Sequence, residues 1–184
     1  TVLYAVWKKN PSLTYHANGG LFEEAIATSY PVSGSDVVFA SVKPVRSGYT
    51  FLGWNTDKTA TSALTSLVMP EGNTVLYAVW AVDQYAVELP ASAEGYSVFY
   101  DGTEVTAPKS VLADNGAKVS FEVVIAEGYS PKNMNVVFGN VALGYISLSG
   151  NTYTYETPII TSDGVIEVRG VEEITFPITL NKGT

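Results

Sequence analysis

The chain has 184 residues, 46% of them apolar and 15% charged, which is enough to build a core in each of one or two domains. Its formal net charge of −8 argues against a nucleic-acid-binding surface, because such surfaces neutralise phosphates with Lys and Arg. It contains no Cys, which excludes disulfides and thiolate metal sites, and no run of about 20 apolar residues that would predict membrane insertion.

The chain opens on a seven-residue string that returns unchanged further along. Residues 1–7 and residues 74–80 both read TVLYAVW. Identical strings separated by the length of a small module are typical of a tandem array. We therefore expect residues 1–7 to be the terminal strand of a preceding repeat, residues 8–81 to be one complete repeat, and the chain to be a piece of a longer protein.

The repeated string is β-branched, aromatic and uncharged, which predicts a strand covered on both faces. In the second copy, Leu76, Ala78 and Trp80 would share one face, and the residues between them the other. The first copy lacks the rest of its repeat. We expect it to be mobile or to add to an exposed sheet edge.

Between the two copies the clearest strands are residues 13–16 and 48–54. In the second of these, Tyr49 and Phe51 would lie on the face of Gly53, with Leu52 and Trp54 opposite. A glycine inside a strand leaves room for a bulky neighbour, and the expected neighbour is Trp80 or Tyr77. Residues 37–40 predict a short strand, and residues 23–27 a helical turn at most.

Residues 82–184 have a different spacing of apolar and turn residues, which predicts a second domain. Short apolar strands are expected at residues 85–89, 96–100, 136–138, 151–155 and 165–168, separated by Gly, Asn and Pro. The clearest alternation places Val119, Phe121, Val123 and Ile125 on one side of a half-buried strand. This spacing predicts an immunoglobulin-like β-sandwich.

Three separate motifs carry a resemblance to a known family. They are LTYHANGG at residues 13–20, PVRSGYTFLGW at residues 44–54 and TVLYAVW at residues 74–80. In order and spacing they resemble the Listeria–Bacteroides repeat, the B-repeat of internalins. The resemblance implies a small β-grasp, ubiquitin-like module, carried in arrays on bacterial surface and secreted proteins as a stalk or adhesive spacer. Residues 116–171 also resemble modules that follow such repeats.

Candidate catalytic groups are sparse. His16 is the only histidine, and a lone imidazole beside a turn is usually a surface residue or a hydrogen-bonded strand residue. The paired acids Glu23–Glu24 and Glu172–Glu173 are predicted to be solvated, because adjacent carboxylates on a strand point to opposite faces. No catalytic residue, enzymatic activity or cofactor is therefore predicted.

Oxygen-rich loops are the candidate calcium sites, because a hard cation prefers such ligands. Asn55 with Asp57, Asp101, and Asp114 with Asn115 each offer one or two ligands, which is fewer than the known calcium loops provide. Each is predicted to be a turn residue. No metal-binding residue is assigned, and calcium binding is left open.

Aromatic residues are the remaining candidates for a binding surface. Trp54 and Trp80 stand in apolar strands and are predicted to be buried. Twelve Tyr offer flat amphipathic rings that suit recognition of sugars or proteins. Four of them lie beside polar turns and would form a recognition patch: Tyr96, Tyr100, Tyr153 and Tyr155.

Two functional hypotheses follow. The first is a non-catalytic segment of a bacterial cell-surface or secreted multidomain protein that acts as a spacer and as an adhesion or protein-interaction module. Its partner would be a host or bacterial surface protein or a glycan, at an extracellular location. The alternative is a carbohydrate-binding accessory module of a larger secreted enzyme.

Overall fold

A computed structural model describes residues 2–176 of the chain. These residues form strands, turns and loops and contain no helix, which confirms the prediction of a mainly β protein. The chain divides into two compact units, here called the first unit (Thr1–Asp83) and the second unit (Gln84–Thr184). Each unit is organised around a hydrophobic core of its own.

The first unit contains one three-stranded sheet, built from β1 (Leu13–His16), β2 (Tyr49–Asn55) and β3 (Thr74–Val82). The central strand is β3, which pairs parallel with β1 and antiparallel with β2. A parallel pair needs a long crossover connection. The chain between β1 and β3 supplies it and contributes β2 on the way.

One face of this sheet carries the core of the first unit. Leu13, Trp54, Met69, Leu76 and Ala78 are buried there, and apolar side chains from the long loops pack against them. The prediction that the repeated string is covered on both faces holds only in part for the other face. On that face Val75 is 38% exposed and Tyr77 is only half-buried, whereas Val79 is 1% exposed.

The loops reach the core without regular structure. Residues 37–40 form no strand: Val37 donates its N–H to the Leu67 carbonyl, and Val38 is 91% exposed. Residues 23–27 form no helical turn. Isolated backbone bridges link the loops to one another, such as Leu21 with Val45 and Asp36 with Val68.

A β-bulge interrupts β2 and corrects its predicted faces. Phe51 is paired with Trp80 and Gly53 with Val79, so Leu52 is the extra residue. The bulge brings Phe51 onto the same side as Trp54, with ring centroids 5.1 Å apart, and leaves Leu52 46% exposed. Gly53 has a φ of 136° at the bulge, which a side chain would disfavour.

The expected packing of Trp80 or Tyr77 over Gly53 is wrong. A Cβ at Gly53 would meet Ala63 instead. Trp80 packs over Gly20, where a Cβ would lie 2.5 Å from Trp80 Cζ2. The bulge shifts Gly53 away from the register that strict alternation predicts.

Residues 2–7 belong to no strand, in contrast to the predicted terminal strand; Thr1 lies outside the described residues. Leu3, Val6 and Trp7 are at least 90% exposed, whereas their counterparts Leu76 and Val79 are at most 1% exposed. The same seven letters therefore occur in two opposite environments. Strand formation at residues 74–80 depends on β1 and β2 as neighbours.

The described part of the second unit, residues 84–176, contains twelve strands. They are β4 (Gln84–Leu89), β5 (Tyr96–Tyr100), β6 (Thr103–Glu104), β7 (Lys109–Asp114), β8 (Ser120–Ile125), β9 (Tyr129–Ser130), β10 (Asn135–Phe138), β11 (Val141–Leu143), β12 (Tyr145–Ser149), β13 (Thr152–Glu156), β14 (Gly164–Arg169) and β15 (Glu172–Glu173).

These strands form two five-stranded sheets and one short pair. The strand orders are β11-β10-β14-β4-β7 and β12-β13-β8-β5-β6, and β9 pairs with β15. The second sheet is antiparallel throughout, while the first contains one parallel pair, β14 with β4. Both sheets contribute side chains to one core. The predicted alternation of β8 is confirmed, because Val119, Phe121, Val123 and Ile125 are all buried.

Candidate functional site

The four tyrosines of the predicted recognition patch lie in one sheet but do not form one exposed surface. Tyr96 and Tyr100 are in β5, and Tyr153 and Tyr155 are in β13, with β8 between them. Cross-strand partners share a face of a sheet. Tyr96 is opposite Ile125, Tyr153 is opposite Val123, and Tyr155 is opposite Phe121. All these partners are core residues, so Tyr96, Tyr153 and Tyr155 lie on the core-facing side of the sheet.

Tyr155 is the most buried of the four. It is 3% exposed, and its ring stacks on Phe121 with a centroid separation of 5.6 Å. Burial raises the pKa of the Tyr155 hydroxyl to about 12, because the phenolate form is poorly solvated there. Burial also raises the pKa of Tyr96. Both side chains serve packing more than recognition.

Tyr100 lines a cleft of about 740 Å3 in the second unit, here called the Tyr100 cleft. Its other walls come from the turn after β5, from β7 and from the segment that leads into β8. The Lys109 ammonium lies 5.1 Å from the centroid of the Tyr100 ring, within cation–π range. Nearby, Lys118 donates a 2.6 Å hydrogen bond to Glu156.

Tyr153 lines a smaller cleft of about 330 Å3, here called the Tyr153 cleft. The end of β8, the turn before β9 and the turn between β12 and β13 surround it. The residues that line it are Ile125, Ala126, Glu127, Gly128, Tyr129, Pro131, Gly150, Asn151 and Tyr153. Tyr153 is therefore separated from Tyr100, which belongs to a different cleft.

Tyr129 is a cleft residue that the sequence pattern does not predict. Its hydroxyl donates a 2.9 Å hydrogen bond to the Glu94 carboxylate, and this bond raises the pKa of Tyr129. The ring packs on Gly95, where a Cβ would lie 2.5 Å from Tyr129 Cδ1. The contact between Tyr129 and Gly95 joins positions more than thirty residues apart, so the local sequence around either residue does not reveal it.

The other candidate catalytic groups have local structural roles. His16 Nδ1 accepts a 2.9 Å hydrogen bond from the Asn18 backbone N–H, and its ring lies 5.4 Å from that of Tyr77. Glu172 and Glu173 form β15 and are exposed, and Glu172 accepts a hydrogen bond from Asn133. Glu23 and Glu24 are also exposed.

The oxygen-rich loops are organised by hydrogen bonds within the protein. Asp57 accepts hydrogen bonds from the backbone and hydroxyl of Thr59, and these bonds lower the pKa of Asp57. Asp114 accepts a hydrogen bond from Gln84, and Asp101 has a φ of 49° in a turn. Within residues 2–176, no three His, Cys, Asp or Glu side chains come together as a metal-binding group.

Comparisons with known proteins find a family match within the first unit. Residues 12–79 match the family model of the Listeria-Bacteroides repeat domain, which confirms the resemblance for that part of the chain. A protein of Evansella cellulosilytica named "Putative membrane protein" is 34% identical over 89 residues, which are 46% of this chain. The chain spans only 12% of the length of that relative. No solved structure matches the chain significantly.

Across residues 2–176 the structure contains no helix that is long and apolar enough to cross a membrane.

Proposed function

We propose that the chain is a non-catalytic segment of an extracellular bacterial protein, where it acts as a spacer and as an adhesion or protein-interaction module. The observation that carries this proposal is the match of residues 12–79 to the Listeria-Bacteroides repeat domain. The repeated TVLYAVW string supports it, because a second copy implies that units of this kind follow one another. The name of the Evansella relative is compatible with a place at the cell surface.

The finer fold assignment belongs to the same proposal. For the first unit, a β-grasp-like fold is supported by the mixed sheet in which β1 and β3 pair in parallel. For the second unit, an immunoglobulin-like sandwich is supported by two five-stranded sheets that share one core. The absence of catalysis is supported by the local structural roles of His16 and of the acidic residues.

The topology of the first unit favours a load-bearing role. β1 lies near the start of the unit and β3 at its end, and the two strands are parallel neighbours. Pulling the ends of the unit apart therefore loads several β1–β3 hydrogen bonds in shear, so that they must break together. Pulling on an antiparallel pair from one end breaks its hydrogen bonds one after another.

Single-molecule force measurements on the whole chain test the spacer role. The chain has no Cys, so engineered cysteines alone set the pulling direction. Ser12→Cys with Asp83→Cys loads β1 against β3 in shear, whereas Ser47→Cys with Asp83→Cys peels β2 from β3. We expect a several-fold higher unfolding force for the first pair. Equal forces in the two directions would contradict a load-bearing design.

The interaction role is tested by the binding of the labelled whole chain to bacterial and mammalian cells. Saturable binding that is lost after protease treatment of the cells is expected for a protein partner. Linear, unsaturable uptake would contradict an adhesion role.

The second candidate function is carbohydrate binding by the second unit. The Tyr153 cleft favours it, because two tyrosines, a carboxylate and an amide line one small cavity.

A further inference from the structure

The Tyr153 cleft combines rigid aromatic rings with polar side chains. Tyr129 and Tyr153 line it together with Glu127 and Asn151. Its volume of about 330 Å3 lies at the small end of the range of ligand sites. Such a volume suits a small ring-shaped ligand with both apolar and polar parts.

Both aromatic rings are fixed before any ligand arrives. Tyr129 is held by its hydrogen bond to Glu94, by the backbone at Gly95 and by the pairing of β9 with β15. Tyr153 is held by its place in β13 and by an edge-to-face contact with Tyr145, with ring centroids 5.4 Å apart. A side chain that is already ordered loses little conformational entropy on binding, so this arrangement is preorganised.

The polar groups of the cleft can accept and donate hydrogen bonds. The exposed Glu127 carboxylate is an acceptor. The Asn151 amide NH2 donates a 2.6 Å hydrogen bond to the Ile125 carbonyl, which fixes the amide plane, and its Oδ1 is a further acceptor. Ligand hydroxyl groups are the natural partners of such acceptors.

A pyranose sugar matches these features. One side of the ring presents C–H groups, which are attracted to the negative face of an aromatic ring, while hydroxyl groups surround its edge. An acidic sugar would be repelled by Glu127, by Glu94 and by a chain of net charge −8. We propose that the Tyr153 cleft is a binding site for a neutral carbohydrate, with the tyrosine rings contacting the sugar face and Glu127 accepting its hydroxyl groups.

This inference rests on the second candidate function, carbohydrate binding by the second unit. The test uses the whole chain on an array of neutral, anionic and cationic glycans, followed by calorimetry with methyl glycosides of the sugars that bind. Tyr153→Ala is expected to weaken binding at least about tenfold, and Glu127→Gln about fivefold. Tyr100→Ala and Glu104→Gln are matched controls in the same sheet and should change affinity less than about twofold.

The folding of each variant is checked by its thermal midpoint. If Tyr153→Ala unfolds the second unit, Glu127→Gln decides, because Glu127 is exposed and the change keeps the shape of the side chain. Amide chemical shifts should move at Gly128 and Gly150 on titration with the methyl glycoside. Shifts confined to the Tyr100 cleft would overturn the inference.

The possible outcomes separate the site from the function. Binding that is lost in Tyr100→Ala and kept in Tyr153→Ala would refute this site and preserve carbohydrate binding. Binding only to cationic sugars, with strong salt dependence, would refute a neutral ligand. An array without any hit would refute both the site and carbohydrate binding, leaving the spacer and protein-interaction role.

Discussion

The indole ring of Trp80 lies against Gly20, so closely that a Cβ on Gly20 would be 2.5 Å from Trp80 Cζ2 and 2.7 Å from the Val45 carbonyl oxygen. Trp80 also donates a hydrogen bond from Nε1 to the Ala17 carbonyl. The glycine-rich turn after β1 and the last strand of the first unit therefore fit together as one contact. The motifs LTYHANGG and TVLYAVW, far apart in sequence, meet here.

Replacing Gly20 with Ala should destabilise the first unit by about 1–3 kcal/mol, because the added methyl group overlaps both the indole and a backbone carbonyl. All three Trp lie in the first unit, so tryptophan fluorescence during urea unfolding reports on this unit alone. Gly72→Ala is the matched control, since a Cβ at Gly72 meets nothing within 4 Å. Equal midpoints for the two variants would contradict the contact.

The two copies of TVLYAVW provide a second, internally controlled experiment. Trp80 is half-buried and meets Phe51 edge to face, with ring centroids 5.6 Å apart, whereas Trp7 is 91% exposed. Trp80→Ala should lower the free energy of unfolding of the first unit by about 3 kcal/mol, and Trp7→Ala by less than about 0.5 kcal/mol. The fluorescence of Trp54 reports the transition in both variants. A large loss in Trp7→Ala would mean that the Trp7 side chain is packed.

The contrast between these copies explains what the sequence could and could not predict. The composition of the string correctly predicts a strand at residues 74–80, where β1 and β2 provide neighbours. It fails at residues 2–7, because strand formation needs hydrogen-bonding partners that the string does not contain. Local pattern specifies a capacity to form a strand, and long-range contacts decide whether it forms.

Predictions of which side chains share a strand face succeed in one strand and fail in another for the same reason. Alternation predicted β8 correctly, since one of its faces is buried and the other is solvated. It failed in β2, where the bulge at Leu52 places Phe51 and Trp54 on one side. A bulge depends on the partner strand, so period-two reasoning could not locate it, although Gly53 marks its position.

The candidate site was predicted only in part, because long-range contacts decide which tyrosines reach a cleft. Tyrosines beside polar turns are expected to be partly exposed, yet cross-strand pairing places Tyr155 opposite Phe121 in the core. Tyr153 does reach a cleft, as a recognition residue would. Tyr129 was missed because Glu94 and Gly95, which hold its ring, are distant in sequence.

The stability of the second unit should fall at high pH because of Tyr155. The pKa of its hydroxyl is about 12 in the folded protein and about 10 in an unfolded chain. A raised folded-state pKa gives stability that is fully present below pH 10 and is lost as the pH rises toward 12. Far-UV circular dichroism of urea unfolding at pH 9, 10.5 and 11.5 should show a midpoint that decreases.

Tyr155→Phe is the control for this pH dependence. Phenylalanine keeps the stacking on Phe121 and removes the ionisable hydroxyl, so the variant should lose less stability between pH 10 and 12. An identical pH dependence in both proteins would show that another group, such as Tyr96, dominates the titration.

A charge on the edge strand β12 should leave the stability of the second unit nearly unchanged and should reduce association between molecules. All five of its residues are exposed, including Ile146 at 62% and Leu148 at 47%, and none is charged. Uncharged apolar edges promote pairing between molecules, which a lysine suppresses. Ile146→Lys should change the free energy of unfolding by less than about 0.5 kcal/mol and reduce light scattering in concentrated solutions.

Thr103→Lys is the control for this prediction. It places the same charge on the opposite edge of the sheet, in β6, which already carries Glu104, and should have little effect on scattering. A similar reduction in both variants would point to net charge, and no reduction in Ile146→Lys would show that β12 does not pair between molecules.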